Sequence, residues 1–187
     1  MNRAALTWLL ASLLSISFIA PAEAAVHSSQ PASAALPVAQ DPAPRAWKRY
    51  RYEVDGFSAE FPGEPKTTPN DGNTGTRYFT SLENDNLAYF VERAELPADL
   101  DKTPEQIFDG YAGGAANGTK SEIKSQKPIS LRSYPGREFI LESDTLIMTF
   151  RLYLQGKTLY QVLVVATKEL APGAETKRFL DSFEILK

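Results

Sequence analysis

Residues 145–167 constrain the fold more than any other stretch, because they read as one β-hairpin with a fixed register. Residues 146–154 form a strand, Gly156-Lys157 a two-residue turn, and residues 159–166 the return strand. Gly at the first central position is the type II′ signature, whose twist suits a hairpin. The turn sets Gln155 opposite Thr158, Leu154 opposite Leu159 and Tyr153 opposite Tyr160. One face then collects Met148, Phe150, Leu152 and Leu154 with Leu159, Gln161, Leu163 and Val165, and belongs on a core. The other collects Thr149, Arg151 and Tyr153 with Thr158, Tyr160, Val162 and Val164. That mixed face either meets a second layer or is partly wet. A slip of one residue would bury Arg151 and expose Phe150, so the pairing is strongly specified.

The start of the chain reads as a targeting segment. Met1-Asn2-Arg3 is positive, residues 4–20 are apolar, and Ala22-Glu23-Ala24 is a small-x-small cleavage site. Together they predict a secretory signal peptide over 1–24. The rival reading is a membrane anchor, but no basic cluster follows the apolar run. Residues 25–46 are rich in Ala, Pro, Ser and Gln without apolar period, and read as a disordered tether. A single domain is expected over 47–187, about 140 residues, which is ample for one core. The chain has no Cys, so stability must come from burial rather than disulfides. Export without Cys fits a bacterial periplasm or an extracellular location. The net charge of −3 gives no basic footprint for nucleic acid.

Within the domain, Asp55-Gly56 between residues 50–54 and 57–61 predicts a type I′ hairpin. That register puts Arg51 opposite Glu60 and places Tyr50, Tyr52 and Val54 on a face with Phe57, Ala59 and Phe61. Residues 62–75 read as a long loop. Residues 76–82 and 87–94 form a second hairpin around Asn84-Asp85-Asn86. Thr103-Pro104-Glu105-Gln106 is a helix start, with a hydroxyl cap, Pro at the first position and Gln three residues on. Ile107, Phe108, Tyr111 and Ala112 give it an apolar stripe, and it is expected to end before Asn117-Gly118. Residues 121–131 read as an edge strand because of Pro128. Tyr134-Pro135-Gly136 reads as a turn, and residues 137–143 as a strand. Pro172-Gly173 opens a last helix to Ser182, buried through Phe179, Leu180 and Phe183, and residues 184–187 are an extended tail. The pattern is α+β, with an antiparallel sheet built from hairpins and flanked by helices.

Three segments carry a resemblance: Gly56-Phe57-Ser58-Ala59-Glu60-Phe61-Pro62, Tyr134-Pro135-Gly136-Arg137-Glu138-Phe139 and Phe179-Leu180-Asp181-Ser182-Phe183. The first resembles the hairpin that opens many domains of the PsbP-like superfamily, and the last resembles the close of their final helix. That superfamily includes the PsbP extrinsic proteins of photosystem II, the Ran-binding Mog proteins and bacterial DcrB-type envelope proteins. The likeness spans about residues 50–185, and its motifs are structural rather than catalytic. It implies an α-β-α sandwich and a role in binding or assembly.

The residues restrict the chemistry. The one His, His27, lies in the tether, so the domain has neither His nor Cys. Ser-His-Asp and Cys-His nucleophile systems are therefore absent from it, as is the usual zinc donor set. Asn70-Asp71-Gly72-Asn73 and Glu83-Asn84-Asp85-Asn86 hold hard oxygen donors but lack EF-hand spacing, and read as turns. Glu138 and Glu142 share a strand face and could form a carboxylate pair, but a solvated face explains them more simply. The glycines fit no nucleotide fingerprint. No catalytic residue, metal or cofactor is assigned.

Two surfaces invite binding. Arg151, Tyr153 and Tyr160 are residue types enriched at interface hot spots; the simpler reading is a sheet face covered by a helix. Residues 45–52, including Trp47 and Arg49, interleave basic and aromatic side chains. They suit an anionic membrane surface or, more simply, an edge strand guarded by charge. The expectation is a non-enzymatic exported accessory module whose partner is another envelope protein. Membrane contact is expected only through an uncleaved signal or weakly through 45–52. The alternative is a small-ligand binder or enzyme with a pocket between helix and sheet.

Overall fold

The computed structural model describes residues 46–69, 75–82, 86–168 and 173–187. The expected signal peptide over 1–24, all but the last residue of the expected tether, His27, residues 70–74 and 83–85, and Pro172 lie outside the described residues. Ten strands and two helices are described. They are β1 (Lys48–Tyr52), β2 (Phe57–Phe61), β3 (Lys66–Pro69), β4 (Gly75–Leu82), β5 (Leu87–Glu95), α1 (Pro104–Thr119), β6 (Glu122–Leu131), β7 (Tyr134–Glu142), β8 (Leu146–Gln155), β9 (Thr158–Thr167), α2 (Ala174–Ser182) and β10 (Glu184–Ile185).

The β8–β9 hairpin has the register its turn dictates, with Gln155↔Thr158, Leu154↔Leu159 and Tyr153↔Tyr160. Gly156 supplies the positive φ of 61° that the turn demands,. The hairpin is the middle of a seven-stranded antiparallel sheet ordered β3-β4-β5-β9-β8-β7-β6. Its two faces divide the core. Phe150, Leu152 and Leu163 pack with Phe108, Tyr111, Ala112 and Ala115 of α1. Tyr153, Tyr160, Val162 and Val164 pack with Phe179 and Leu180 of α2 and with Phe57, Ala59 and Phe61 of β2. On that second side lies a three-stranded antiparallel sheet ordered β1-β2-β10. The mixed face therefore meets a second layer, and the arrangement is an α+β sandwich with the large sheet in the middle.

Local chemistry explains α1. Thr103 Oγ1 accepts from the Gln106 N–H at 3.3 Å, and Gln106 Oε1 accepts from the Thr103 N–H at 3.0 Å. This reciprocal box satisfies two donors that the helix itself cannot. The helix runs through Asn117-Gly118 to Thr119 rather than ending before them. Thr119 Oγ1 donates to Ala115 O at 2.7 Å. Lys120 then takes the left-handed turn at φ 53°, and the Ser121 N–H closes on Ala116 O at 2.9 Å. The helix thus ends three residues later than the sequence suggested, with a Schellman-type closure,.

Three further expectations are corrected. The first hairpin has a four-residue loop, 53–56, pairing Tyr52 with Phe57, Arg51 with Ser58 and Arg49 with Glu60. A type I′ turn needs positive φ at both central residues, and of Asp55 and Gly56 only Gly56 has it, at 72°. The shift is two residues, so the faces of β1 and β2 keep their assignment, but Val54 moves to the tip and is 97% exposed. Residues 62–75 contain β3, which pairs with β4. Tyr134-Pro135-Gly136 lies inside β7; the turn is Arg132-Ser133, with Arg132 at φ 56°. The closing segment is extended, as expected, and its Glu184 and Ile185 pair with Ser58 and Phe57 as β10. β6 is an edge strand, as its Pro128 implies,.

Candidate binding surface

α2 organises the polar groups on the outside of the second layer. Phe179 and Leu180 face inward, which leaves Lys177, Arg178 and Asp181 to meet other elements. Arg178 Nε donates to Glu60 Oε2 at 2.8 Å, and its guanidinium lies 5.0 Å from the ring centre of Trp47. The indole in turn packs edge-on against Tyr89, with centroids 5.4 Å apart. Arg49 Nη1 donates to Ser182 O at 2.9 Å and to Ser58 Oγ at 3.2 Å. Glu60 and Glu184 stand 3.6 and 3.7 Å from the same guanidinium. Arg49, on the edge strand of the small sheet, and the half-buried Trp47 just before that strand are thus locked to α2.

Arg151 belongs to a ladder of alternating charge. Its Nε donates to Glu138 Oε2 at 2.6 Å and its Nη1 to Asp181 Oδ1 at 2.8 Å. Lys127 Nζ reaches the other oxygen of Glu138 at 2.7 Å, and Lys177 pairs with Asp181 one helical turn away. Burial pushes Glu138 up, but hydrogen bonds from Lys127 and Arg151 outweigh it, and the carboxyl ends below its usual range,. Asp181 is lowered by the same balance. Glu142 is lowered too, chiefly by its hydrogen bond from Lys168 at 2.8 Å. A carboxylate pair working as acid and base needs one member raised. Glu138 and Glu142 are both lowered, each by its own cationic partners.

Tyr153 and Tyr160 are 4% and 2% exposed. Tyr153 stacks on Phe183, and the Tyr160 hydroxyl donates to Asp55 O at 3.0 Å. They hold the layers together and face no open surface. Of the five candidate residues, the structure gathers Trp47 and Arg49 beside α2, sets Arg151 at its rim, and encloses the two tyrosines. The residues that sequence reading missed are Arg178, Glu60, Asp181 and Ser182. Glu60, Asp181 and Ser182 carried a signal, as polar positions within the segments that bear the resemblance, whereas Arg178 lies just before the last of those segments and carried none.

A second polar group lies on the opposite face of the large sheet, under α1. One cross-strand row runs Arg77, Glu92, Gln161, Leu152, Arg137. Arg77 Nε donates to Glu92 Oε1, and Tyr111 of α1 also hydrogen-bonds Glu92. Burial raises Glu92 more than Arg77 lowers it. Arg137 pairs with Asp109 and lies over the Phe108 ring at 5.9 Å. Among the described residues, no group of three or more His, Cys, Asp or Glu is gathered as a metal site requires.

No protein-family model matches the chain, and no curated protein matches it in sequence. Solved structures do. The solution structure of cyanobacterial PsbP (CyanoP) from Synechocystis sp. PCC 6803 superposes with a TM-score of 0.58. The match covers 80% of this chain and 99% of that one at 11% identity. The fold is PsbP-like. A Pseudomonas aeruginosa protein of unknown function, PA94, matches at a TM-score of 0.36 and 9% identity over 66% of this chain and 84% of its own. Within the PsbP-like frame, the segments that carried the resemblance meet in space. Phe57 stacks on Phe183 at 5.8 Å, and Phe61 packs edge-on to Phe179 at 5.2 Å. The opening hairpin and closing helix are thus one aromatic cluster, which accounts for the PsbP-like residues by packing. Among the described residues, no helix is long and apolar enough to cross a membrane.

Proposed function

We propose that this PsbP-like domain is an exported, non-enzymatic accessory module that binds another envelope protein through the surface at the end of α2. The observation that carries the reading is the Trp47–Arg178 stack beside Arg49, on the outer strand of the small sheet. Trp, Tyr and Arg concentrate interface energy when their side chains are already held in place. Here the indole is fixed by Tyr89 and Arg178, and Arg49 by Ser58 and Ser182. The charges around it are paired by Glu60 and Glu184. That balance favours a protein partner over an anionic bilayer, which would select unpaired cations. Export rests on the composition of residues 1–24,.

The test compares wild-type protein with Trp47→Ala and Arg178→Ala variants as bait in native envelope extract, read by quantitative mass spectrometry. The reading predicts one partner retained by wild type and weakened about tenfold or more by either change, with far-UV circular dichroism unchanged. Identical retention by folded variants would exclude this surface. Mass measurement of the native protein tests cleavage after Ala24.

A further inference from the structure

We infer that Gln161 marks an enclosed binding position between α1 and the large sheet, for a small uncharged group presenting a hydrogen-bond donor and acceptor side by side. Gln161 lies at the middle of the core-facing side of β9, 1% exposed, among Leu159, Leu163 and Val165. Its Oε1 and Nε2 are both buried, and among the described residues neither has a hydrogen-bond partner. A buried amide in that condition carries the full penalty of desolvation. A Leu or Met would fill the same place without that penalty. The amide is the exception on an otherwise apolar face, and such exceptions concentrate where a ligand or solvent molecule is held.

The surroundings define the occupant. Glu92, the cross-strand neighbour on one side, is engaged by Arg77 and Tyr111. Leu152, on the other side, offers no polar group. Glu92 and Arg77 neutralise one another, so the position presents no net charge and selects against ions. The free pair of groups on Gln161 is one acceptor beside one N–H donor. Its complement is an N–H or O–H next to an oxygen: a carboxamide, or water. Above the sheet, α1 approaches through the small residues Ala112 and Ala115. The position lies on the face of the sheet opposite the Trp47 surface, and the two readings stand or fall separately.

The experiment uses the full-length protein labelled with 15N, with the Gln161 side-chain amide assigned by its loss in Gln161→Leu and in Gln161→Met. Water–amide Overhauser transfer is recorded first, followed by a titration with acetamide. Transfer of the sign that marks a long-lived water, without an acetamide response, assigns the position to internal water. A saturable shift of the Gln161 signals with acetamide assigns it to a carboxamide-bearing solute. Either result supports the inference. Neither water transfer nor a saturable shift in the wild-type protein would overturn it, whatever the variants do.

Discussion

The ring of Tyr153 lies parallel to that of Phe183, with centroids 5.7 Å apart and planes 8° apart. One residue comes from β8 of the large sheet and the other from the end of α2, so the stack fastens the two layers. Phe57 and Tyr160 surround Phe183 from two further strands. Truncating Tyr153 therefore opens a cavity between layers instead of removing a surface contact. Tyr153→Ala should cost about 3–5 kcal/mol, seen as a lower urea midpoint with an unchanged slope. A fully stable variant with impaired partner binding would reverse the assignment.

Gly136 makes that stack possible. A Cβ at this position would stand 2.5 Å from Leu152 O and 2.6 Å from Tyr153 Cδ1. The first obstacle is backbone and cannot swing aside, so β7 or the Tyr153 ring must move. Gly136→Ala should lose about 1–3 kcal/mol, although Ala is the better residue in an ordinary strand. A neutral or stabilising result in thermal unfolding would show that the strands can part there at no cost.

How far the chain could be read in advance follows from where the information is local. The β8–β9 register was legible because Gly156 fixes the turn and strict alternation leaves one burial solution. The start of α1 was legible because Thr103 and Gln106 are a self-contained cap. β3 was not, since Lys66-Thr67-Thr68-Pro69 offers no apolar face and exists only by pairing with β4. The register of β1 on β2 was missed because a slip of two residues leaves every face unchanged, so hydrophobic pattern cannot choose between the loops. At the candidate surface, Trp47 and Arg49 could be picked out by type. Their fixing partner Arg178 could not, because it meets Glu60 from 118 residues away.

The cap at Thr103 gives the most local prediction. Its hydroxyl accepts from the Gln106 N–H, and Thr103→Ala leaves that donor to water at an exposed helix end. The loss should be about 1 kcal/mol. Because α1 carries three glycines between Gly110 and Gly114, its own propensity cannot offset a lost cap. Hydrogen exchange in the first turn of α1 should speed up in the variant while the central strands stay protected. Uniform acceleration over the whole domain would mean that the cap stabilises the fold globally and not this helix locally.

Glu138 supplies the pH dependence. Its folded-state pKa is depressed, because the hydrogen bonds from Lys127 and Arg151 outweigh burial. A carboxyl of this kind contributes stability that is fully present above its unfolded value, about 4.3. That contribution is lost as pH falls through the depressed folded value. Asp181 and Glu142 act in the same sense. Glu92 acts in the opposite sense: burial raises its folded value, so its contribution is present in acid and is lost as pH rises through that value. Wild-type stability alone would mix these effects, and the comparison with Glu138→Gln separates them. The substitution leaves Arg151 without its nearest anion, which should cost about 1–3 kcal/mol at neutral pH. As pH falls from the unfolded value through the depressed folded one, the wild-type carboxyl takes up its proton, so the gap between the two denaturation curves should narrow towards acid,. A gap that stays constant from neutral pH into acid would mean that Glu138 stabilises through shape alone, and that the charge ladder between β6, β7, β8 and α2 contributes nothing to holding the layers together.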